Sequence, residues 1–212
     1  MSDTPGPVGH CTDHGHFTGA ACPDCGGGRV LDGARRERLS RFLSGALRHF
    51  PGDAGIALDE RGWTEWAGLV RAARRQYDWA DERAVAAVVA TDPKGRFERS
   101  GERVRAAYGH SVDVDLGDGD GDVPDSLYHG TDPATLDAID EEGLRPMGRN
   151  EVHLSATPEA AREVGRRRAA DPAVLAVDAA AMCADGLRVT KRGADTYTAD
   201  RVPPEYLAVL DA

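Results

Sequence analysis

The clearest pattern of hydrophobic and polar positions in the chain covers residues 34–50. Its apolar positions follow the spacing i, i+3, i+4, i+7, i+8 and i+11, at Leu39, Phe42, Leu43, Ala46, Leu47 and Phe50. This spacing places one apolar stripe on a helix whose outer face is rich in arginine. Pro51-Gly52 should end the helix, because proline cannot continue it and glycine favours termination.

Two more helices and a hairpin are predicted before residue 112. Thr64 is the predicted N-cap of the second helix and Asp81 that of the third, each preceding an apolar stripe. Ile56–Leu58 is predicted as a short strand, and the extended segments 96–99 and 103–107, joined by Ser100-Gly101, predict a β-hairpin. Three helices and a hairpin predict a winged-helix-like lobe over residues 34–112, an architecture common in nucleic-acid-binding proteins.

Extended and helical patterns alternate over residues 127–212. Asp132 and Thr157 are predicted N-caps, each followed by proline, and Gly143 lies beyond the end of the first of these helices. Cys183, in an alanine-rich helical stretch, is predicted to be a small core residue. The predicted strands are residues 127–131, 152–155, 174–177, 187–190, 196–199 and 206–210. The prediction is an α+β fold with a mostly antiparallel sheet.

Residues 113–126, between these two lobes, contain six aspartates and three glycines. A calcium-binding loop counted from Asp118 would need a bidentate glutamate at its twelfth position, which is His129. We therefore predict a solvated acidic linker.

Charge is distributed unevenly along the 212 residues, whose net charge is −10. It is −3 over residues 1–33, +4 over residues 34–112 and −11 over residues 113–212. A cationic lobe in an anionic chain indicates a polyanionic partner for that lobe. Two lysines beside 24 arginines, with abundant aspartate, favour a halophilic archaeal source, in which acidity serves solubility.

The composition also bears on membranes. No stretch approaches the ~20 apolar residues needed to cross a bilayer, and the first residues lack a signal-peptide pattern. We expect a monomeric, cytoplasmic protein with no membrane partner.

Three of the four cysteines lie near the N-terminus, in the pairs Cys11-x2-His14 and Cys22-x2-Cys25. Two pairs of soft ligands at this spacing suit tetrahedral Zn²⁺. Residues 1–33 are therefore predicted as a zinc-ribbon-like segment that is disordered without metal. All four ligands come from the protein, so the zinc should be structural rather than catalytic.

Other interpretations of this segment are possible. Cys22 and Cys25 could form a redox pair, but such a pair is expected where a helix follows a strand. A disulfide is disfavoured inside cells. His10 and His16 are alternatives to His14 as the histidine ligand.

Five short motifs occur in order along the chain. They are LSRFLSGALRH at 39–49, GRF at 95–97, RAAYGHS at 105–111, LYHGT at 127–131 and GLRPMGRNEVHLS at 143–155. Each motif alone is a weak signal, but all five in this order make the chain resemble the RNA 2′-phosphotransferase family over about residues 36–210. The family removes an internal 2′-phosphate from RNA with NAD as co-substrate. The resemblance implies a winged-helix RNA lobe followed by an ADP-ribosyltransferase-like, NAD-binding lobe over residues 127–212.

The resemblance also implies site residues. The Arg-His-Arg-Arg set that is essential in the family falls on Arg48, His49, Arg96 and Arg149. The residues implied in NAD binding are His129, Gly130 and Thr131, together with His110, Ser111, His153 and Ser155. One departure is Glu151, which stands where many members have histidine. The metal-binding prefix resembles additions on some archaeal members.

The chemistry of the reaction fits these residue types. A 2′-phosphomonoester is dianionic near neutral pH and already nucleophilic, so it needs charge neutralisation and orientation more than a strong base. Arginine binds phosphate oxygens bidentately and stays protonated. Histidine titrates in the range needed to protonate the departing RNA 2′-oxygen.

The predicted reaction has two steps. The phosphate first attacks the nicotinamide-bearing ribose carbon and releases nicotinamide. The neighbouring ribose 2″-hydroxyl then attacks the phosphorus, giving RNA with a free 2′-hydroxyl and ADP-ribose 1″,2″-cyclic phosphate.

Two other functions fit part of the pattern. One is an ADP-ribosyltransferase that modifies phosphorylated nucleic-acid ends or proteins and stops after the first step. The other is a non-enzymatic RNA-binding protein built from a zinc module and a winged helix. Cyclic phosphate formation separates the first from the predicted enzyme, and NAD consumption with a 2′-phosphorylated RNA would exclude the second.

Overall fold

The computed structural model describes residues 5–117 and 121–210 and divides the chain into two units. Unit 1 comprises residues 1–115 and unit 2 residues 116–212. Positions 118–120 of the predicted acidic linker, and the first four residues of the predicted zinc segment, lie outside the described residues. The architecture is mixed α and β with antiparallel strand pairing, as predicted.

Unit 1 begins with a three-stranded antiparallel sheet in the order β2-β1-β3. Its strands are β1 (Val8–Cys11), β2 (Gly15–Thr18) and β3 (Arg29–Leu31). The sequence did not predict these three strands. Val8 and Leu31 are buried in the same apolar cluster as the long helix that follows. The Cys/His segment is therefore packed into the core of unit 1.

The long helix predicted over residues 34–50 is confirmed as α1 (Gly33–Arg48). Asp32 caps it by accepting a hydrogen bond from the backbone N–H of Arg35 at 2.8 Å. Leu39, Leu43 and Leu47 are fully buried, whereas Phe42 at the edge of the stripe is half-buried. Phe50, beyond the helix end, is 37% exposed.

The rest of unit 1 contains two helices and a small sheet in the order β4-β6-β5. These elements are β4 (Thr64–Glu65), α2 (Trp66–Gln76), α3 (Glu82–Ala90), β5 (Phe97–Ser100) and β6 (Arg103–Ala106). The Asp81 cap and the β5–β6 hairpin are confirmed. The Thr64 cap is wrong, since Thr64 pairs with Val104 in the sheet. Ile56–Leu58 forms no strand, although Ile56 is buried.

Unit 2 is built on one six-stranded sheet in the order β10-β11-β8-β7-β9-β12, with antiparallel neighbours. The strands are β7 (Ser126–Thr131), β8 (Val152–Ser155), β9 (Ala173–Asp178), β10 (Val189–Lys191), β11 (Thr196–Ala199) and β12 (Leu207–Leu210). The sequence predicted all six. The predicted segments 187–190 and 206–210 begin too early, because Tyr206 ends a 3₁₀ turn and Leu187 precedes β10.

The helices of unit 2 are short. They are α4 (Leu136–Glu142), entered through a 3₁₀ turn at Pro133–Thr135, α5 (Pro158–Gly165) and α6 (Ala179–Ala184). The Asp132 and Thr157 caps are confirmed, as is Gly143 at the end of α4 with a φ of +74°. The prediction for Cys183 is wrong, because its side chain is exposed on α6 while Met182 fills the core. No helix of the described chain is long and apolar enough to span a membrane.

Candidate functional site

The four predicted metal ligands in unit 1 come together. The donor atoms of Cys11, His14, Cys22 and Cys25 all lie within 4.8 Å of one another. Cys11 Sγ is 3.5 Å from His14 Nδ1 and 3.4 Å from Cys25 Sγ, and Cys22 Sγ is 3.5 Å from His14 Nδ1. Donors around a tetrahedral zinc with bonds of about 2.0–2.3 Å stand roughly 3.5–3.8 Å apart. The cluster therefore has dimensions that could hold a metal ion.

The environment of Cys11 favours a thiolate, the form that binds metal. Backbone N–H groups of Asp13 and His14 that point at the sulfur lower the pKa of Cys11 to about 7. His10 and His16 are not part of the cluster. They pair across β1 and β2 with ring centroids 4.7 Å apart, so His14 is the histidine of this site.

Arg48 and His49, at the C-terminal end of α1, lie against the segment that follows β6. The backbone N–H of Ser111 donates to the carbonyl of Arg48 at 3.0 Å, and Ser111 Oγ is hydrogen-bonded to His49 Nδ1 at 3.0 Å. The guanidinium of Arg48 lies 4.7 Å above the Tyr108 ring. His110 is 2% exposed. The structure therefore brings His110 and Ser111 together with Arg48 and His49 inside unit 1.

Arg96 is held in a fixed orientation just before β5. Its Nε donates to Asp92 Oδ1 at 2.9 Å, its Nη2 forms an ion pair with the same carboxylate, and Nη2 also donates to Ser40 Oγ at 2.9 Å. The Asp92 side chain is only 3% exposed, against 25% for Arg96. Within the described residues Nη1 makes no hydrogen bond. Arg96 thus presents one edge of an anchored guanidinium.

These unit 1 residues form one group beside α1. Ser40, Ser44 and Arg48 follow each other at intervals of four, so they lie along one flank of the helix. The backbone N–H of Ala107 donates to the carbonyl of Arg96 at 2.9 Å, and Tyr108 Oη donates to the carbonyl of Lys94. The segments around Arg96 and Ser111 are thereby joined. Ser44 Oγ is buried and has no hydrogen-bond partner among the described residues.

In unit 2, His129 lies on β7 where this strand separates from β8. The two strands pair at one position only, Tyr128 with Ser155, whereas β7 pairs with β9 along six residues. His129 Nδ1 donates to the carbonyl of His153 at 2.9 Å. Burial, helped by the charge of Arg168, lowers the pKa of His129 although this hydrogen bond opposes it. The ring is therefore neutral at pH 7, with Nε2 as its acceptor.

Gly130 and Thr131 have structural roles that the sequence did not reveal. A Cβ on Gly130 would stand 1.9 Å from the carbonyl oxygen of Ala161, so only glycine allows α5 to pack on β7. Thr135 Oγ1 donates to the carbonyl of Asp132, which leaves Thr131 Oγ1 to donate to Thr135 Oγ1 at 2.9 Å. Thr131 is 6% exposed, and its hydroxyl stabilises the turn after β7.

The other predicted NAD contacts of unit 2 do not all share one face of the sheet. Opposed residues on neighbouring strands point the same way, so His153 and Ser155 share a face with Tyr128. His129 and Thr131 point to the opposite face. Arg149 is exposed in the irregular segment before β8.

The comparisons with known proteins agree with this arrangement of motifs. A family model described as "RNA 2'-phosphotransferase, Tpt1 / KptA family" matches residues 34–200. The chain belongs to this family. The chain is 57% identical to "Probable RNA 2'-phosphotransferase" of Haloarcula marismortui over 98% of its own length and 99% of the relative.

Other relatives in the RNA 2′-phosphotransferase family are also similar over nearly their full length. Identity is 43% to "Probable RNA 2'-phosphotransferase 2" of Archaeoglobus fulgidus, covering 96% of this chain and 93% of the relative. It is 40% to the protein of Methanosarcina mazei named "Probable RNA 2'-phosphotransferase", covering 95% and 98%. The Cys/His segment lies before residue 34, where the family match begins.

In this family member, Glu151 belongs to a charged network at the start of β8. Its carboxylate accepts a hydrogen bond from the buried Arg192 at 3.1 Å and lies 3.6 Å from Arg188, which also pairs with Asp200 at 2.6 Å. Arg192 Nε donates to Thr198 Oγ1 at 3.3 Å. Glu151 thus fixes the end of the segment that carries Arg149.

Several residues that support the site were missed from the sequence. Asp92 and Ser40 orient Arg96, and Tyr108 supports Arg48. Asp92 carried a faint signal, since an acid four residues before an arginine is a common ion-pair spacing. Ser40 and Tyr108 lie within two of the quoted motifs, but their supporting roles were missed because their contacts join residues about 56 and 60 positions apart in the chain.

Proposed function

We propose that this protein is an NAD-dependent RNA 2′-phosphotransferase. It would transfer the internal 2′-phosphate of an RNA to NAD, giving 2′-hydroxyl RNA, nicotinamide and ADP-ribose 1″,2″-cyclic phosphate. Membership of the family over residues 34–200 carries this proposal. The presence of Arg48, His49, Arg96 and Arg149 at the family's motif positions supports it.

Unit 1 supplies the groups proposed to act on the RNA phosphate. Arg48 and Arg96 would bind phosphate oxygens and stabilise the charge that develops at phosphorus. Because Asp92 and Ser40 hold Arg96 in place through Nε and Nη2, little reorganisation is needed when the phosphate binds. His49 would protonate the departing RNA 2′-oxygen, with Ser111 orienting its ring.

Unit 2 carries Arg149, the third arginine of the set implied by the family resemblance, and the residues assigned to NAD. The neutral His129 ring, fixed through Nδ1, offers Nε2 to a hydroxyl donor such as those of a ribose. Gly130, Thr131, His153 and Ser155, with His110 and Ser111 of unit 1, are assigned to the NAD region by family resemblance. We propose the lobe boundaries given by the sequence: a zinc segment over 1–33, a winged-helix RNA lobe over 34–112, an acidic linker over 113–126 and an ADP-ribosyltransferase-like lobe over 127–212.

We propose zinc as the ion held by Cys11, His14, Cys22 and Cys25. Three thiols and an imidazole form a closed four-ligand set with no position for a substrate, which is typical of structural zinc. Zinc there would cross-link the loops that join β1, β2 and β3. We also expect a cytoplasmic monomer, whose mass can be checked by light scattering.

The decisive experiment incubates the protein with NAD and a 2′-phosphorylated oligoribonucleotide. We expect nicotinamide, 2′-hydroxyl RNA and the cyclic phosphate in equal amounts. Nicotinamide without the cyclic phosphate would instead identify an ADP-ribosyltransferase, and no NAD consumption would leave a binding protein.

The variant Arg149→Ala tests the assignment further. It should keep its fold and accumulate RNA that carries ADP-ribose on the 2′-phosphate, because the second step would lack charge stabilisation. The matched control is Arg41→Ala, since Arg41 is 77% exposed and forms a surface ion pair with Glu37. Wild-type turnover by Arg149→Ala would contradict the role of Arg149.

A further inference from the structure

Four aromatic rings form a continuous row on unit 1, which we call the aromatic row. It consists of Phe50, Phe42, Tyr77 and Trp79. The ring centroids are 6.3 Å apart from Phe50 to Phe42, 5.9 Å from Phe42 to Tyr77 and 4.9 Å from Tyr77 to Trp79. The last two rings are stacked, with an interplanar angle of 17°.

The row is partly open to solvent. Phe42, Tyr77 and Trp79 are half-buried against the core, and Phe50 is 37% exposed. The Phe50 ring rests on Gly45 of α1, where a Cβ would stand 2.4 Å from its Cε1. A glycine inside a helix costs about 1 kcal/mol relative to alanine. Glycine at position 45 therefore lowers the stability of α1 but leaves space for the Phe50 ring.

Two arginines of α1 lie over the far end of the row. The guanidinium of Arg35 is 5.2 Å from the Trp79 ring centroid, and that of Arg38 is 5.1 Å from the Tyr77 centroid. Within residues 5–117 and 121–210, neither takes part in an ion pair. Both guanidinium groups are therefore available to pair with an anion.

A second arginine–aromatic group in unit 1 differs from the aromatic row in the ion pairing of its arginines. Arg103 and Arg105 both lie over Trp63, at 5.6 and 4.7 Å from its centroid. Both are ion-paired, Arg103 with Asp59 and Arg105 with Glu98. Among the described residues of unit 1, the aromatic row joins two stacked rings to two arginines that take part in no ion pair.

The row also begins beside the residues assigned to the phosphate. Phe50 directly follows His49, and from there the row continues past Phe42 toward Trp79. On α1, Phe42 lies on a different side from the flank that carries Ser40, Ser44 and Arg48. The row is thus a separate surface whose near end adjoins His49.

We propose that the aromatic row binds a single-stranded segment of the RNA substrate next to its 2′-phosphorylated nucleotide. This rests on the proposed function and adds where the RNA lies beyond the reacting phosphate. Bases stack on exposed aromatic surfaces without regard to sequence, and arginines contact the backbone phosphates. A second protein copy is the less suitable occupant, because binding an apolar surface there would bury Arg35 and Arg38 without counter-charges.

The test compares oligonucleotides of two lengths. A 2′-phosphorylated dinucleotide should reach only the phosphate site, whereas about twelve nucleotides would be long enough for a single-strand binding surface. The longer RNA is made in two forms, extended either 5′ or 3′ of the phosphate. Affinity is measured by fluorescence anisotropy, and KM and kcat by nicotinamide release.

The variants are Trp79→Leu, which keeps an apolar side chain, and the double variant Arg35→Ala/Arg38→Ala. We expect each to bind one of the two extended RNAs about tenfold more weakly, with kcat unchanged and the dinucleotide KM unchanged. For the double variant, the slope of log affinity against log salt concentration should correspond to about two fewer phosphate contacts than in the wild type. Trp63→Leu is the matched control and should bind both lengths like wild type.

Three results would overturn the proposal. They are unchanged affinity for both extended RNAs, an equal loss on the dinucleotide and the extended RNAs, or a dimer that the variants dissociate in light scattering. If Trp79→Leu misfolds, the double variant of the two surface arginines still tests the proposal. Anisotropy does not depend on turnover, so loss of affinity in the variants would support the row even if no phosphate were transferred.

Discussion

The two units hold their candidate residues in different ways. In unit 1, Arg96 and His49 are oriented by other side chains, namely Asp92, Ser40 and Ser111. In unit 2, His129 and Gly130 lie within the strand β7, and the contacts that fix them run to backbone atoms of His153 and Ala161.

Because of this difference, substitutions in the two units should have different effects on the reaction and on stability. A side-chain contact can be removed while the backbone keeps its course, so substitutions around Arg96 should change the reaction more than the stability. A backbone contact inside a sheet cannot be removed in the same way, so substitutions at Gly130 should change stability first. Both expectations can be tested with variants of unit 1 and of unit 2.

The largest effect is expected from metal removal, which should affect unit 1 alone. Val8 and Leu31 are core residues of unit 1, so loss of the β1–β3 sheet would open that core. Structural zinc contributes several kcal/mol, and a loss of even about 2 kcal/mol lowers a melting midpoint by roughly 10 °C. Calorimetry with a chelator, or of Cys22→Ser, should show one transition shifted and the other retained. Cys183→Ser, at an exposed cysteine outside the cluster, is the control.

The next effect is expected from Gly130→Ala. A Cβ 1.9 Å from the carbonyl oxygen of Ala161 forces α5 away from β7. Because backbone cannot rotate out of the way, we expect a loss at or above the roughly 3 kcal/mol upper range for overpacked cores. Chemical denaturation of unit 2 measures it. Gly148→Ala, whose Cβ would meet nothing within 4 Å, should unfold like wild type; equal losses in both variants would break the comparison.

A third prediction concerns Arg96 and its support. Arg96→Ala should lower kcat by about 10²–10³, as expected for removing one preorganised charge-stabilising donor. Asp92→Asn should lower kcat by about tenfold, because the guanidinium stays but its orientation is less fixed. Asp92→Asn should melt within a few degrees of wild type, whereas Arg96→Ala should also lose some stability, because it leaves the buried Asp92 carboxylate without its guanidinium partner. A large loss of stability in Arg96→Ala with normal kcat would reverse the proposed distinction between the units.

The smallest effect is a pH dependence of unit 2 from His129. Burial lowers the pKa of its folded form below the value near 6.5 of an unfolded histidine. Below about pH 6.5 the unfolded chain binds a proton that the folded chain does not, so stability should fall as pH decreases toward the folded pKa. Melting temperatures between about pH 8 and 5 should show this slope in the wild type and less of it in His129→Gln. An identical slope in both would exclude His129 as its source.

The sequence predicted elements best where a pattern was long or marked by caps. The stripe of α1 and the caps Asp81, Asp132 and Thr157 all appear where expected. It failed at Thr64, where strand pairing with Val104 replaced a plausible helix cap, and at Cys183, where Met182 took the core position. In both places tertiary packing outweighed a local preference that is worth about 1 kcal/mol or less.

For the candidate site, the sequence proposed the residues but not the contacts that support them. Motif order singled out Arg48, His49, Arg96 and Arg149, and ligand spacing singled out the metal cluster. The partners that orient them, among them Asp92, Ser40 and Tyr108, became evident only from contacts. Gly130 is a residue of the LYHGT motif, and only the structure showed that packing also requires glycine at this position.

By itself the sequence determined which chemistry is available: cysteines and a histidine spaced for one metal ion, and arginines and histidines in a family order. Those features are local, because they depend on side-chain type and on separations of a few residues. Only the tertiary structure decided which side chains hold the arginines, which glycine a helix packs against, and that four aromatic rings adjoin. These contacts join residues far apart in the chain, and their energies depend on burial, which no local pattern encodes.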